Sequence, residues 1–349
     1  MRILANLILT NIFLLGVCWL ALRYGRPTGN RWLDRLNRFI STKLPCMFFD
    51  TIRCLFGDPG VEATRRLYKY VLNERNPLTM ILYIIITIGG YMGFVVSGYP
   101  HLPNNTLTFP YHKEMGFVIF CASLYFFNLA AVSNPGIIAK SNHANHYRLF
   151  PFDDVVYKQD IVCSTCKFSK PARSKHCRFC GIDIARFDHH CVWINQCVGL
   201  GNIKPFLLFL LSNNVMCIYG GFLGIGILYD LVHSQGLHEA WFQDASGQRF
   251  KASPYYIFVY LVGTQTLLCY VTIIAIFMGT FLSFFTWYHW VTLMREGITT
   301  NEESKLSRLD DIARKKFIKK YAQGSWWNNL KYLWTTMCPP LVSIKQVTK

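Results

Sequence analysis

Asp188-His189-His190-Cys191 sets an acid, two imidazoles and a thiol side by side, inside a cysteine-rich segment with hydrophobic runs on both sides. That order supplies a nucleophile with its own base. Six of the 13 cysteines crowd the same region: Cys163, Cys166, Cys177, Cys180, Cys191 and Cys197. On the cytosolic side of a membrane such a cluster indicates metal binding or catalysis rather than structural disulfides. Cys163-x2-Cys166 and Cys177-x2-Cys180 each let two thiolates of one turn share a tetrahedral zinc, and His176 and His190 stand at workable distances.

Outward from this segment the composition defines the class. Lys and Arg number 36 against 19 Asp and Glu, a net charge of +17, while 52% of residues are hydrophobic. The apolar residues gather in runs long enough to cross a bilayer, which takes about 20 residues as a helix. We read five spans: Ile3–Leu22, Leu78–Gly98, Met115–Val132, Pro205–Leu231 and one within Tyr255–Met294. The first is about twice the length of a signal-peptide core and has no clear cleavage site, so we expect an uncleaved anchor.

Segments 23–77, 133–204 and 295–349 hold 11, 10 and 11 of the basic residues. Five spans put all three on one side, and the excess of positive charge makes that side cytosolic. Asn104 then heads an Asn-x-Thr glycosylation sequon in a lumenal loop. The positive charge is accounted for by topology and solvated faces, and no nucleic acid partner is expected. Residues 30–40 place Trp32, Leu36, Phe39 and Ile40 on one helical face, which fits either a helix lying on anionic lipid or one packed on protein.

The run Cys163-x2-Cys166-x3-Lys170-Pro171-Ala172-Arg173-Ser174-Lys175-His176-Cys177-x2-Cys180, followed by Asp188-His189-His190-Cys191-x5-Cys197-x4-Asn202-x3-Phe206, resembles the DHHC cysteine-rich protein S-acyltransferases. Arg295-Glu296-Gly297-Ile298-Thr299-Thr300-Asn301-Glu302 after the last span resembles the fungal branch that acylates SNARE proteins. The resemblance implies an all-α polytopic membrane protein, with a cytosolic zinc-binding domain between the third and fourth of about five transmembrane helices. The parts expected are an anchor and basic segment (1–77), a transmembrane hairpin (78–133), the catalytic zinc domain (134–204), a second hairpin (205–294) and a cytosolic tail (295–349).

It also implies two structural zinc ions, one on Cys163, Cys166, His176 and position 183, the other on Cys177, Cys180, His190 and Cys197. Position 183 departs from the family pattern, with Asp183 where cysteine is usual. Either the carboxylate closes the site at about 2.0–2.2 Å or water does. Cys191 would take a long-chain acyl group from acyl-CoA and pass it to a cysteine of a membrane protein, with His189 as base and Asp188 orienting it. Thr300 would support Asp188, and Asn328, in Tyr321-x2-Gly324-x3-Asn328, would anchor the tail. Lys170 and Arg173 are expected at the CoA phosphates. Palmitoyl-CoA, the bilayer and membrane proteins with juxtamembrane cysteines, SNAREs among them, are the expected partners, and the endoplasmic reticulum the expected address.

Two other readings follow from the same residues. Val192 stands where many family members have proline, which bears on substrate docking or turn rigidity and leaves the nucleophile untouched; Asp183 weakens the metal pattern, so a catalytically silent zinc scaffold that binds partner proteins is the alternative. A transporter is disfavoured because no span shows a clear buried ionisable pair. Asn213-Asn214 in the fourth span is expected to pack between helices, and Trp326-Trp327 to anchor at the membrane interface.

Overall fold

The computed structural model describes residues 35, 39, 43–103, 106–243 and 247–335. The expected first span, Asn104 and most of residues 30–40 lie outside them. In chain order the elements are α1 (Leu44–Asn73), α2 (Leu78–Ser97), α3 (His112–Val132), β1 (Ile137–Ile138), α4 (His143–Leu149), β2 (Lys175–Cys177), β3 (Ile182–Ile184), β4 (His189–Cys191), β5 (Gln196–Val198), α5 (Ile203–Ser234), β6 (Trp241–Gln243), β7 (Arg249–Lys251), α6 (Pro254–Thr264), α7 (Thr266–Arg295), α8 (Thr300–Leu306), α9 (Asp311–Tyr321) and α10 (Trp326–Thr335). They fall into two compact units, Met1–Glu74 with Phe242–Thr264 and Arg75–Trp241 with Gln265–Lys349. The first contains α1, which turns at Gly57, and α6. The cysteine-rich segment and the four long apolar helices belong to the second.

Among the described residues, four helices are long and apolar enough to cross a membrane: Leu78–His101, His112–Val132, Ile203–Ser234 and Thr266–Arg295, of 24, 21, 32 and 30 residues. Ile85, Val96, Phe117, Phe222, Phe277 and Phe284 stand exposed on them. In water that display would be unfavourable, whereas hydrocarbon solvates it. The protein is therefore an integral membrane protein. The long apolar run at 255–294 resolves into α6 and α7, parted at Gln265, with α7 alone spanning length.

Inside the bundle, α5 and α7 approach at backbone distance: a Cβ on Gly224 would collide with the side chain of Thr272. Without water to drive association, small residues of this kind give membrane helices their packing contacts. Polar side chains are paired across helices. The Tyr83 hydroxyl donates to Asn213 Oδ1 at 2.8 Å, and Asn213 Nδ2 donates to the Phe209 carbonyl at 2.8 Å. Ser283 Oγ donates to Asn214 Oδ1 at 3.0 Å. Both asparagines thus join helices, as expected for polar groups in hydrocarbon.

The cysteine-rich segment contains two small antiparallel sheets, β1-β3-β2 and β4-β5. It is fastened to the end of α3. The last carbonyls of a helix have no partner within it, and here Gln196 and Asn202 supply donors. Gln196 Nε2 reaches the Ala131 and Ser133 carbonyls at 3.0 and 2.5 Å, and Asn202 Nδ2 reaches those of Ala130 and Cys197 at 3.3 and 2.9 Å. Both side chains are buried. The membrane helix and the hairpin that carries Cys191 are therefore one rigid joint.

Candidate active site and metal centres

Strand pleating decides which residue serves which centre, because successive side chains point to opposite faces. In β2, His176 faces Asp183 of β3 in register, while its neighbour Cys177 faces away from that pair. In β4, His190 stands directly opposite Cys197 of β5, so those two share a face. His189 and Cys191 share the other face, and the ring and thiol interact there. One residue step thus separates metal ligand from candidate chemistry.

Two donor clusters result. Cys177, Cys180, His190 and Cys197 form one and Cys163, Cys166, His176 and Asp183 the other, with all donor atoms in each within 4.8 Å of one another. In the first, His190 Nδ1 lies 3.7, 3.4 and 3.6 Å from the sulfurs of Cys177, Cys180 and Cys197. In the second, His176 Nδ1 lies 3.6 and 3.5 Å from those of Cys163 and Cys166, and 3.8 Å from Asp183 Oδ2. Tetrahedral bonds of about 2.0–2.3 Å put ligand atoms about 3.3–3.8 Å apart. The clusters match that edge length and can hold two metal ions.

Asp183 gives the fit a second test. It is fully buried, and neither carboxylate oxygen has a hydrogen-bond partner. A bare carboxylate in such a place costs several kcal/mol unless a cation meets it. The donor set therefore suits a divalent ion closed by the carboxylate.

At the other face of β4, His189 Nδ1 is 2.6 Å from Asp188 Oδ2. The backbone N–H of Thr300 donates to Asp188 Oδ1 at 2.7 Å. Burial would raise the Asp188 carboxyl, but the hydrogen bond and charge of His189 and the Thr300 amide outweigh it and hold it below the usual carboxylate range. Burial also disfavours charged His189, yet Asp188 and Cys191 together push its pKa up to about 10. With Nδ1 held by the carboxylate, Nε2 is left for the thiol. Cys191 is itself buried at 7% exposure, while Val192 and Trp193 beyond it are exposed.

Thr300 is delivered by a buried ion pair. Glu302 and Arg173 have side chains only 0% and 1% exposed. Arg173 Nε donates to Glu302 Oε1 at 2.7 Å, and Nη2 to Oε2 at 2.5 Å. The same carboxylate accepts from the Tyr157 hydroxyl at 3.2 Å and from the Thr299 amide at 2.9 Å. Thr299 and Glu302 form a capping box at the start of α8. Thr299 Oγ1 also donates to the Phe187 carbonyl at 3.1 Å. The turn before it, at Gly297 (φ +67), is held by Arg173 and Arg186, both donating to the Gly297 carbonyl.

Two expectations are corrected. Arg173 does not face solvent for CoA, because its guanidinium is spent on Glu302 and Gly297. The tail anchor is Asn329, one position beyond Asn328. Asn329 is buried, and its Nδ2 donates to the Met294 and Arg295 carbonyls at the end of α7, at 2.8 and 3.3 Å. Asn328 is exposed, and its side chain donates to the Gln323 carbonyl at 3.2 Å. Lys170 is half-buried, and its charge acts on Lys305 together with that of Lys175. Gln196, Asn329 and His289 are buried positions beside the site that the sequence does not single out. His289 carries the one available signal, an ionisable side chain inside an apolar run.

Fold and site together define a polytopic membrane protein whose thiol, imidazole and carboxylate sit on a hairpin whose other face carries metal-binding donors. The profile of the DHHC palmitoyltransferase family matches residues 156–307. Palmitoyltransferase swf1 of Schizosaccharomyces pombe is 31% identical over 298 residues, 84% of this chain and 77% of that protein. Palmitoyltransferase SWF1 of Yarrowia lipolytica is 41% identical over 143 residues, 41% of this chain and 37% of that protein. Mouse palmitoyltransferase ZDHHC4 is 34% identical over 151 residues, 43% of this chain and 44% of that protein. The chain belongs to the DHHC palmitoyltransferase family.

Breaking the ion pair from one side should cost about 3–5 kcal/mol, since it strands a buried charge. Thermal unfolding in detergent should show this for Arg173→Leu. Glu302 is also the acid-sensitive member. Burial alone would raise its carboxyl, but Arg173 holds it below its ordinary 4.5. Its contribution is thus complete above that value and disappears as pH falls through the lower folded value. Wild type should lose melting temperature in that acid window, whereas Glu302→Gln should be lower throughout and flatter there. In the tail, Asn329→Ala should destabilise by about 1–3 kcal/mol through the orphaned α7 carbonyls, and Asn328→Ala should stay within about 0.5 kcal/mol.

Proposed function

We propose that this protein is a protein S-palmitoyltransferase that works through an S-acyl intermediate on Cys191. The observation that supports this most is the placement of His189 and Cys191 on one face of β4, with Asp188 behind the imidazole. His189 accepts the thiol proton, and Asp188 stabilises the imidazolium. The Cys191 thiolate attacks the acyl carbonyl of palmitoyl-CoA. As the new carbon–sulfur bond forms the old one breaks, and CoA leaves as a thiolate that takes the proton from His189. A cysteine thiol of a protein substrate then repeats the exchange, losing its proton to His189 while Cys191 departs with it. Two successive thioester exchanges of nearly equal energy imply ping-pong kinetics.

The metal ions we assign are zinc, one on Cys177, Cys180, His190 and Cys197 and one on Cys163, Cys166, His176 and Asp183. With four protein donors each they have no open position for substrate and serve structure. Lys170, with Lys175 and Lys305 nearby, is the candidate for CoA phosphates. Thr300 acts by its amide on Asp188. The cysteine-rich segment faces the cytosol, as the distribution of basic residues favours. Membrane proteins with cysteines close to the bilayer are the substrates this placement suits. SNARE proteins and an endoplasmic reticulum address rest on the resemblance to the fungal branch.

Purified protein incubated with labelled palmitoyl-CoA should acquire a hydroxylamine-sensitive label that Cys191→Ser lacks. An unlabelled wild type would leave the silent zinc scaffold as the reading. A Cys191→Ser protein that labels as well as wild type would move the nucleophile elsewhere.

A further inference from the structure

His289 lies on α7, in the membrane-spanning part of the chain, yet it is only 2% exposed and its Nδ1 has no hydrogen-bond partner. Buried polar atoms are nearly always paired, so an orphan of this kind calls for a reason. An ionisable side chain in a spanning helix is expensive and marks function more often than packing. Its orphan atom points at the catalytic acid: Nδ1 lies 3.9 Å from Asp188 Oδ2. The ring has little freedom to turn elsewhere, since Phe206 and Phe285 meet it edge to face, with centroids 5.5 and 4.6 Å away.

Asp188 has room for it. Oδ1 takes the Thr300 amide and Oδ2 takes His189 Nδ1, which leaves one lone pair of Oδ2 open. Asp188, His189 and His289 also meet the spacing of a metal site. However, the His189–Asp188 separation of 2.6 Å is a hydrogen bond. It is well under the about 3.3 Å edge of two light ligands on one tetrahedral ion. A proton, not a metal, belongs between them.

We infer that His289 is a positioning residue for the acylation step, whose Nδ1–H becomes the third donor to Asp188 when the substrate complex closes the gap. Catalytic hydrogen bonds are often long in the free enzyme and tighten in the complex. The third bond fixes the plane of the carboxylate while His189 carries the thiol proton. It also ties α7, a wall of the membrane bundle, to the chemistry at the cytosolic hairpin. The inference rests on Cys191 as the acylated residue.

Three substitutions test it. Asn carries its amide nitrogen where histidine carries Nδ1, Gln carries it one methylene farther out, and Leu keeps the apolar packing without a donor. Single-turnover acylation from labelled palmitoyl-CoA should be slowed about tenfold or more in His289→Leu and His289→Gln, the range that a misplaced group costs. His289→Asn should stay close to wild type, and the concentration of palmitoyl-CoA giving half-maximal rate should be unchanged in all three. If the Leu variant does not fold, as melting would show, the Asn and Gln variants decide by their difference. Wild-type rates in both the Leu and Gln variants, or equal loss in Asn and Gln, would overturn this role alone. Absence of label on the wild type would overturn it together with the assignment of Cys191.

Discussion

The constraint on which the site depends is the two-residue period of two very short strands, β2 and β4. A pleated strand sends neighbours to opposite faces, so β2 gives His176 to one donor cluster and Cys177 to the other. By the same rule β4 gives His190 to a cluster and leaves His189 and Cys191 together on the remaining face. A shift of one residue in either register would exchange every one of these roles. Strands of three residues cannot hold their register by hydrogen bonds alone. Cross-strand donors, His176 with Asp183 and His190 with Cys197, would lock it once a metal ion joins them. Metal binding and folding of this segment are then one process, in which ligation can contribute about 10–16 kcal/mol.

A second constraint governs how the hairpin meets the membrane helices. Each helix that ends beside the site leaves carbonyls without partners, and buried amides complete them. Gln196 and Asn202 do this for α3, and Asn329 does it for α7. Beyond α7, the Arg173–Glu302 pair fixes the Gly297 turn and the capping box, and the box presents the Thr300 amide to Asp188. Buried ion pairs are seldom large net stabilisers, but breaking one is costly. Here the pair specifies a position: it sets the distance between the end of a spanning helix and the acid beside Cys191.

The spans over 78–98, 115–132 and 205–231 are legible in the sequence because about twenty apolar residues in a row suit little besides a bilayer crossing. The two Cys-x2-Cys pairs with His176 and His190 are legible because ligand chemistry tolerates few residue types and short spacings, whereas Asp183 and Cys197 enter through the resemblance, and strand pairing sets them opposite His176 and His190. Arg173 misleads because sequence shows a positive charge but not its partner 129 residues away. Asn328 and Asn329 cannot be told apart by position alone, since adjacent helical residues differ by about 100° in direction, and only docking against α7 reveals which faces inward. His289 escapes notice because its counterpart, Asp188, comes from another element, so no span shows the pair by itself.

Zinc content measured by mass spectrometry on purified single variants tests the central claim that one residue step divides metal ligation from chemistry. Wild type and His189→Ala should each retain about two zinc ions per chain, and His190→Ala should retain about one. Loss of zinc from His189→Ala, or two ions still held by His190→Ala, would contradict the account.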